Sequence, residues 1–368
     1  MQGGGDSARG ESAVERGSGP ARRGRLRGEL TVATIARLAG VSPPTVSRVL
    51  NGRSDVAADT RRRVEELLRE HGYRRPAAIV PSPGVEVVFY GLESNLAIEM
   101  MRGVQAVVGD RDLGVGFTEV IAGPAAEAVA QRSWCERLLA RRPTGVIIVH
   151  SHFTAEQHAQ LAASGIPLVA ADPTGQPHQA VPSVGAANWS GAVAAARHVL
   201  DLGHRRIGVL GGPGEILCAR ERLEACRAAL EISGVPLEPR LVRTGRFFFE
   251  DGLALGHELL SHPDPPTAVL CGNDLQALGV YEAARQLGMR IPQDLSVVGF
   301  DGIDPGSWCG PPLTTVRQPF RDIGAAAANL LLSLIAGEEL GQTRIELPTT
   351  LVVRASTAPP PPTAAARV

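Results

Sequence analysis

Seven short apolar runs punctuate residues 85–301: VEVVFYG, VGFTEVIA, TGVIIVH, IPLVAAD, RIGVLGG, TAVLCGND and LSVVGFD. Between them lie helix-patterned stretches, among them 97–108, 125–141, 191–202, 220–233 and 275–287. Strands that are apolar on both faces, each followed by a helix, belong to parallel sheets covered on both sides. The alternation spans about 270 residues, too many for one small sheet, and predicts two doubly wound α/β lobes. Aromatic residues make up only 4% of the chain against 44% hydrophobic overall, so the cores of these lobes must be aliphatic.

The ends of the chain have a different composition. Residues 1–29 are rich in Gly, Arg and Ser and carry almost nothing apolar, so a disordered tail is expected. Residues 30–73 have a compact helical pattern, and 74–84, RRPAAIVPSPG, read as a linker. The body then runs over 85–354, and the Pro/Ala-rich 355–368 is expected to be a second disordered tail. Charge is divided unevenly. Residues 1–75 hold 15 Arg against 9 Asp and Glu, a surplus of +6, whereas the whole chain has a net charge of −1. A basic head on an acidic body predicts that only the head meets a polyanion. The five Cys show neither a CxxC nor a metal-ligand spacing with His, and read as reduced thiols. No apolar run reaches the roughly 18 residues of a membrane span, and the N-terminus lacks a signal-peptide core, so a cytoplasmic protein without a membrane partner is expected.

Within the head, LTVATIARLAGVSPPTVSRVLN places Ile35, Leu38, Val41, Val46, Val49 and Leu50 on one side of two short helices. Gly40 lies between them, where a turn needs a residue free to take positive φ. Thr31 can cap the first helix and Ser42 the second. Two adjacent prolines follow Ser42, and inside a helix each would cost roughly 3 kcal/mol. At the first two helical positions the cost vanishes, because those N–H groups have no partner in any case. A third helix is expected at 58–71, with Val64, Leu67 and Leu68 packing on the first two. This is a helix-turn-helix, in which the start of the second helix enters the major groove. Candidate DNA contacts are Thr31, Ser42, Pro43, Pro44, Thr45, Ser47, Arg48 and Asn51. Arg48, one turn in, suits a guanine O6/N7 edge, and the prolines suit apolar contact with thymine methyls.

The stretch TVATIARLAGVSPPTVSRVLNGRSDVAADTRRRVEELLREHGY resembles the DNA-binding head of the lactose/galactose repressor family of bacterial transcription regulators. The resemblance continues in LDLGHRRIGVLGG, CARERLEAC, LCGNDLQALGVYEAARQLGMRIPQDLSVVGFDG and PPLTTVRQPFRDIGAAAANLL, and covers roughly 31–355. It implies an N-terminal all-α helix-turn-helix head joined to an α/β periplasmic-binding-protein-like body of two doubly wound parallel-sheet lobes. It also implies a homodimer that binds a pseudo-palindromic double-stranded operator as a repressor, controlled by a small effector, a sugar, held between the lobes. Crossovers between lobes are expected near 184–190 and 311–320, with a return strand near 345–353.

Carried over by motif, the ligand residues are Arg222, Phe247, Asn273 and Asp301, with Glu93 and Ser94 from the other lobe and Trp189 and Asn188 at the crossover. The chemistry agrees, since loops at the carboxyl ends of parallel strands line such a crevice. A guanidinium and a carboxylate can each hold two adjacent hydroxyls, and Phe247 can stack on a sugar ring. Arg222 and Asp301 can equally pair with each other, Phe247 can be plain core, and Asp274 reads as a helix cap. His150 and His152 form an i,i+2 pair at a strand end, where lining the cleft is a commoner role than metal binding. GGPG at 211–214 lacks the spacing of a dinucleotide loop, and no nucleophile–base pair stands out, so neither catalytic residues nor a metal or cofactor are expected. In one respect the chain departs from the family. RRPAAIVPSPG contains no Leu to wedge into the minor groove, and Ile79 is the only substitute, so little bending of the operator is expected.

Overall fold

The computed structural model describes residues 32–50, 56–71, 84–90, 96–111, 113–120, 127–150, 155–175 and 181–362. The chain divides into two compact units, Met1–Val80 and Pro81–Val368. The first contains helices α1 (Val32–Ala39), α2 (Pro43–Leu50) and α3 (Ala58–Glu70). Ile35, Ala36 and Ala39 of α1 are buried against Val46 and Val49 of α2 and Val64 of α3. Gly40 turns the chain between α1 and α2 with φ +68°. Leu38, expected in this core, is 42% exposed. At 100° per residue the buried arc of α1 centres between Ile35, Ala39 and Ala36, which leaves Leu38 on its flank.

The second unit alternates strands and helices as its sequence predicts. It begins with β1 (Gly84–Tyr90), α4 (Leu96–Val108), β2 (Gly114–Val120), α5 (Glu127–Arg141), β3 (Gly145–Val149), α6 (Ala155–Ser164), β4 (Leu168–Ala171) and β5 (Ser183–Ala186). It continues through α7 (Asn188–Asp201), β6 (Ile207–Gly211), α8 (Leu217–Ile232), β7 (Val242–Thr244), α9 (Phe249–Leu260), β8 (Ala268–Cys271), α10 (Asp274–Gln286) and β9 (Ser296–Asp301). Last come α11 (Asp304–Trp308), β10 (Thr314–Arg317), α12 (Phe320–Ile335), β11 (Arg344–Leu347) and β12 (Thr350–Val352). Two six-stranded sheets result, ordered β11-β5-β4-β3-β1-β2 and β12-β10-β9-β8-β6-β7. Every pairing is parallel except β10 with β12. The first sheet with α12 makes one lobe, and the second makes the other. Their cores are aliphatic, with Val87, Ile147, Val184 and Leu331 in one and Val209, Leu270, Val298 and Val316 in the other.

The chain therefore passes between lobes three times, after β5, after β10 and after β11. The expected single return strand is two strands, one in each sheet, with Pro348 in the break between them. The C-terminal segment also differs from expectation. Residues 355–362 were expected to be disordered, yet Ser356 is fully buried. Its hydroxyl donates to Val297 O at 2.6 Å and accepts from Thr314 N at 2.8 Å. The Ala358 carbonyl accepts from Ser296 Oγ at 3.0 Å and meets His204 Nε2 at 2.9 Å. A Pro/Ala composition hides this docking, because the partners are supplied by β9, β10 and a buried histidine. The linker expected at 74–84 lies outside the described residues up to 83. No described helix is long and apolar enough to cross a membrane.

Candidate functional site

The first site is the start of α2. The Ser42 carbonyl accepts from Thr45 N at 2.9 Å and Val46 N at 3.3 Å, so Ser42 is the N-cap. Its hydroxyl meets Thr45 N at 3.4 Å and Thr45 Oγ1 at 2.9 Å. Pro43 and Pro44 are thus the first two helical residues, where missing donors cost nothing. Val46 and Val49 turn inward, while Ser42, Pro43, Pro44, Ser47 and Arg48 are exposed and Thr45 is half-buried. The outward face is a helix N-terminus with hydroxyls, two apolar rings and one guanidinium. Such a face can lie in a major groove and take phosphate at its end. Thr31 and Asn51 lie outside the described residues.

The second site is a polar cluster where the two lobes meet. Arg222, buried on α8, is its centre. Its Nε donates to Asn188 Oδ1 at 2.9 Å and its Nη1 to Gly272 O at 2.6 Å. Nη1 also lies 3.2 Å from Asp301 Oδ1. The guanidinium stacks 3.8 Å above the Phe300 ring and stands 5.7 Å from that of Phe247. Gln318, just past β10, donates from Nε2 to the same Asp301 oxygen at 2.7 Å. The other lobe contributes His150 after β3 and Asp172 after β4, with Nε2 and Oδ2 2.9 Å apart. The two lobes also touch through their backbones, Leu217 N donating to Thr174 O at 2.6 Å.

The electrostatics link these groups. Burial pushes the Asp301 carboxyl above its ordinary range against the pull of Arg222 and Gln318, and the charge of Asp172 adds to the rise. Burial also acts on Asp172, but the hydrogen bond and charge of His150 and the charge of Arg222 outweigh it and hold that carboxyl low. Backbone strain collects here as well: His150, Asp172 and Asp301 have φ of 53°, 46° and 109°. Positive φ in non-glycine residues costs on the order of 1–3 kcal/mol each and concentrates at binding sites. A cavity of about 540 Å³ has Asp301 and Gln318 in its wall, with apolar surface from Leu96, Phe320 and Leu347. That volume suits a small molecule. Arg222 is not in the wall and meets the cavity through its Asp301 partner. Gln318 Oε1 is buried with no hydrogen-bond partner among the described residues, an acceptor waiting for a donor.

Of the residues singled out from sequence, Arg222 and Asp301 are together and paired, the alternative reading of them. Phe247 lies against Gly212 and Gly272, where a Cβ on either glycine would run into the ring. Asn273 caps α10, accepting from Gln276 N at 2.9 Å, and donates to Phe247 O at 3.0 Å, so its side chain is spent on the lobe's own structure. This corrects the reading of Asp274 as the cap. Trp189 is 47% exposed, and its neighbour Asn188 is the member of the pair that reaches Arg222. Glu93 and Ser94 lie outside the described residues, as does His152. Sequence reading passed over Asp172 and Gln318. The signal for Asp172 was an acid closing the apolar run IPLVAAD, as Asp301 closes LSVVGFD. No group of metal ligands forms among the described residues.

Residues 31–76 match the family described as bacterial regulatory proteins, lacI family, and 196–357 match the periplasmic binding protein-like domain. The chain is 31% identical over 332 residues to the HTH-type transcriptional repressor CytR of Escherichia coli, covering 89% of this chain and 96% of that one. Among solved structures it is similar to the transcriptional regulator CelR in complex with cellobiose, with a TM-score of 0.68 and 30% identity over 89% of this chain and 100% of that one. It is similar also to the Lac repressor dimer bound to operator and the anti-inducer ONPF, with a TM-score of 0.66 and 29% identity over 90% and 100%. A capped helix-turn-helix ahead of two parallel-sheet lobes, matched along nearly its whole length by named regulators, makes this chain a DNA-binding transcriptional regulator of the lacI family.

Proposed function

We propose that this regulator is a cytoplasmic repressor that binds a pseudo-palindromic operator as a homodimer and is controlled by a sugar held between its lobes. The observation that carries the ligand half is a cavity of about 540 Å³ whose wall holds Asp301, paired behind it with Arg222, and Gln318, together with Leu96 and Leu347 of the other lobe. The Asp301 carboxylate and Gln318 Oε1, both in groups of the cavity wall, are acceptors that suit the hydroxyls of a polyol. Groups contributed by both lobes let a ligand favour one relation of the lobes over another, and differential affinity is what any ligand-driven switch requires. The relative bound to cellobiose and the relative that is a dimer on its operator support the reading.

The test is a thermal-shift panel of cellobiose, maltose, galactose and ribose. At least one should raise the midpoint of the wild type, and its effect should vanish in Asp301→Ala. A panel that leaves the wild type unmoved counts against a sugar effector of these classes. An unchanged shift in Asp301→Ala places the site elsewhere.

A further inference from the structure

Asp301 is held in a costly conformation, and the groups that hold it lie outside the cleft. Its φ is 109°, and the turn continues through Gly302 at φ 78°. Such a conformation persists only where the surroundings over-determine it. The next two amides, Gly302 N and Ile303 N, both donate to one oxygen, Asp274 Oδ2, at 2.8 Å each. The other oxygen, Oδ1, accepts from Thr315 Oγ1 on β10 at 2.5 Å. Asp274 is completely buried at the first position of α10. Gly299 on β9 leaves the space its carboxylate occupies, since a Cβ there would collide with Oδ1.

From this geometry we infer that Asp274 is the positioning residue that fixes the Asp301–Gly302 turn and so presents the Asp301 carboxylate to Arg222 and to the ligand. The inference rests on the cleft reading above and assigns a role to a residue that does not touch the cavity. Simpler roles fit less well. Helix capping belongs to Asn273, whose side chain already serves Gln276 N. A structural ion pair is not present, because no cation contacts Asp274 among the described residues. A carboxylate buried without a cation is expensive, and a neutral core residue would stabilise the lobe better. The carboxylate does what a neutral apolar residue cannot. One oxygen gathers two successive N–H groups that a reversed backbone would otherwise leave unsatisfied, while the second anchors to the neighbouring strand. Three elements, α10, the β9–α11 turn and β10, are thereby locked around the acid that pairs with Arg222 in the cavity wall.

The inference predicts different outcomes for two substitutions. Asp274→Asn keeps an oxygen able to accept from both amides, whereas Asp274→Ala keeps none. Crystal structures of the unliganded variants read the turn directly. In Asp274→Asn, Asp301 should stay at positive φ and remain paired with Arg222. In Asp274→Ala, its φ should become negative and the pair should separate. If alanine prevents folding, Asp274→Leu fills the same space without an acceptor and asks the same question. An unchanged turn in the alanine or leucine variant overturns the inference, whether or not any sugar binds. The second readout uses whichever of cellobiose, maltose, galactose or ribose shifts the wild type. Its affinity should fall about tenfold in Asp274→Ala, as for loss of a hydrogen bond to a charged group, and be rescued in Asp274→Asn. Equal affinity losses in both variants would mean that the charge itself is needed and would overturn the positioning role. A panel with no active sugar removes the sugar reading and leaves the structural test standing.

Discussion

The two functional regions of this chain are built in opposite ways. On α2 the functional groups point outward from a face that costs the fold nothing. Pro43, Pro44, Ser47 and Arg48 are exposed, and the core is made by Val46 and Val49 on the other side. In the cleft the candidate groups point at one another. Arg222 serves Asn188, Gly272 and Asp301, and Asp301 serves Arg222 and Gln318. A surface that meets a polymer can be separate from the core, whereas a site built of buried groups that pair with one another is part of it. Mutations should therefore separate stability from function in the head and couple them in the body.

The largest effect should come from Arg222→Ala. It leaves the Asp301 carboxylate buried without its cation, and removing one partner of a buried pair costs about 3–5 kcal/mol. Urea unfolding of the body should show a loss of that size. Arg48→Ala should change unfolding by less than about 0.5 kcal/mol, as for an exposed position. Equal stability losses in the two variants would break the comparison.

Next is a pH effect confined to the body. Burial, reinforced by the charge of Asp301, pushes Asp274 up to about 7 from an ordinary 3.8. A carboxyl whose folded value lies above its unfolded value contributes stability below about pH 4 and loses it as pH rises through 7. The loss is bounded by about 4 kcal/mol for three pH units. Asp274→Asn should therefore be more stable than wild type at pH 8, with the difference shrinking toward pH 4. A constant difference across that range would show that Asp274 does not titrate there. The comparison with the variant isolates it from His198 and His204, which burial pushes down and whose contributions fall with acid.

Smaller still is the readout of Arg48. A bidentate Arg–guanine contact carries about 1–3 kcal/mol of discrimination. Arg48→Ala should weaken binding to a selected operator more than to random DNA, measured by competition at fixed salt. Equal weakening would make Arg48 a phosphate contact. Least of all, replacing Pro43 and Pro44 with Ala should cost the head only about 0.4–1 kcal/mol per site, through greater freedom of the unfolded chain. A gain in head stability would mean the prolines strain α2 rather than stiffen it.

The same contrast explains what could be read in advance. The head was legible because capping, the Gly40 turn and the inward face of α2 are set by residues a few positions apart. The alternation of apolar runs likewise revealed both sheets. The cleft was only half legible. Asp301 and Arg222 sit in recognisable motifs, and their pairing is one of the two readings the sequence leaves open, but that Asp172 and Gln318 join them depends on contacts between residues 17 to 22 apart, across different strands. Asp274 looked like a cap because local rules favour an acid at a helix start, whereas its partners lie 28, 29 and 41 residues away. The docked 355–362 segment departs from its composition for the same reason: its order comes from partners on β9 and β10 that its own residues do not reveal.

The central claim is that one chain reads DNA with an outward face and senses a sugar with an inward one. The most direct measurement is the affinity of the full chain for an operator selected from random duplex DNA, titrated with and without a sugar that shifts the wild type. Wild type and Asp301→Ala should bind the operator alike without sugar. With sugar, the midpoint should move at least about tenfold in wild type, a coupling typical of such switches, and stay in place in Asp301→Ala. A midpoint that moves equally in both proteins, or in neither, would contradict the account.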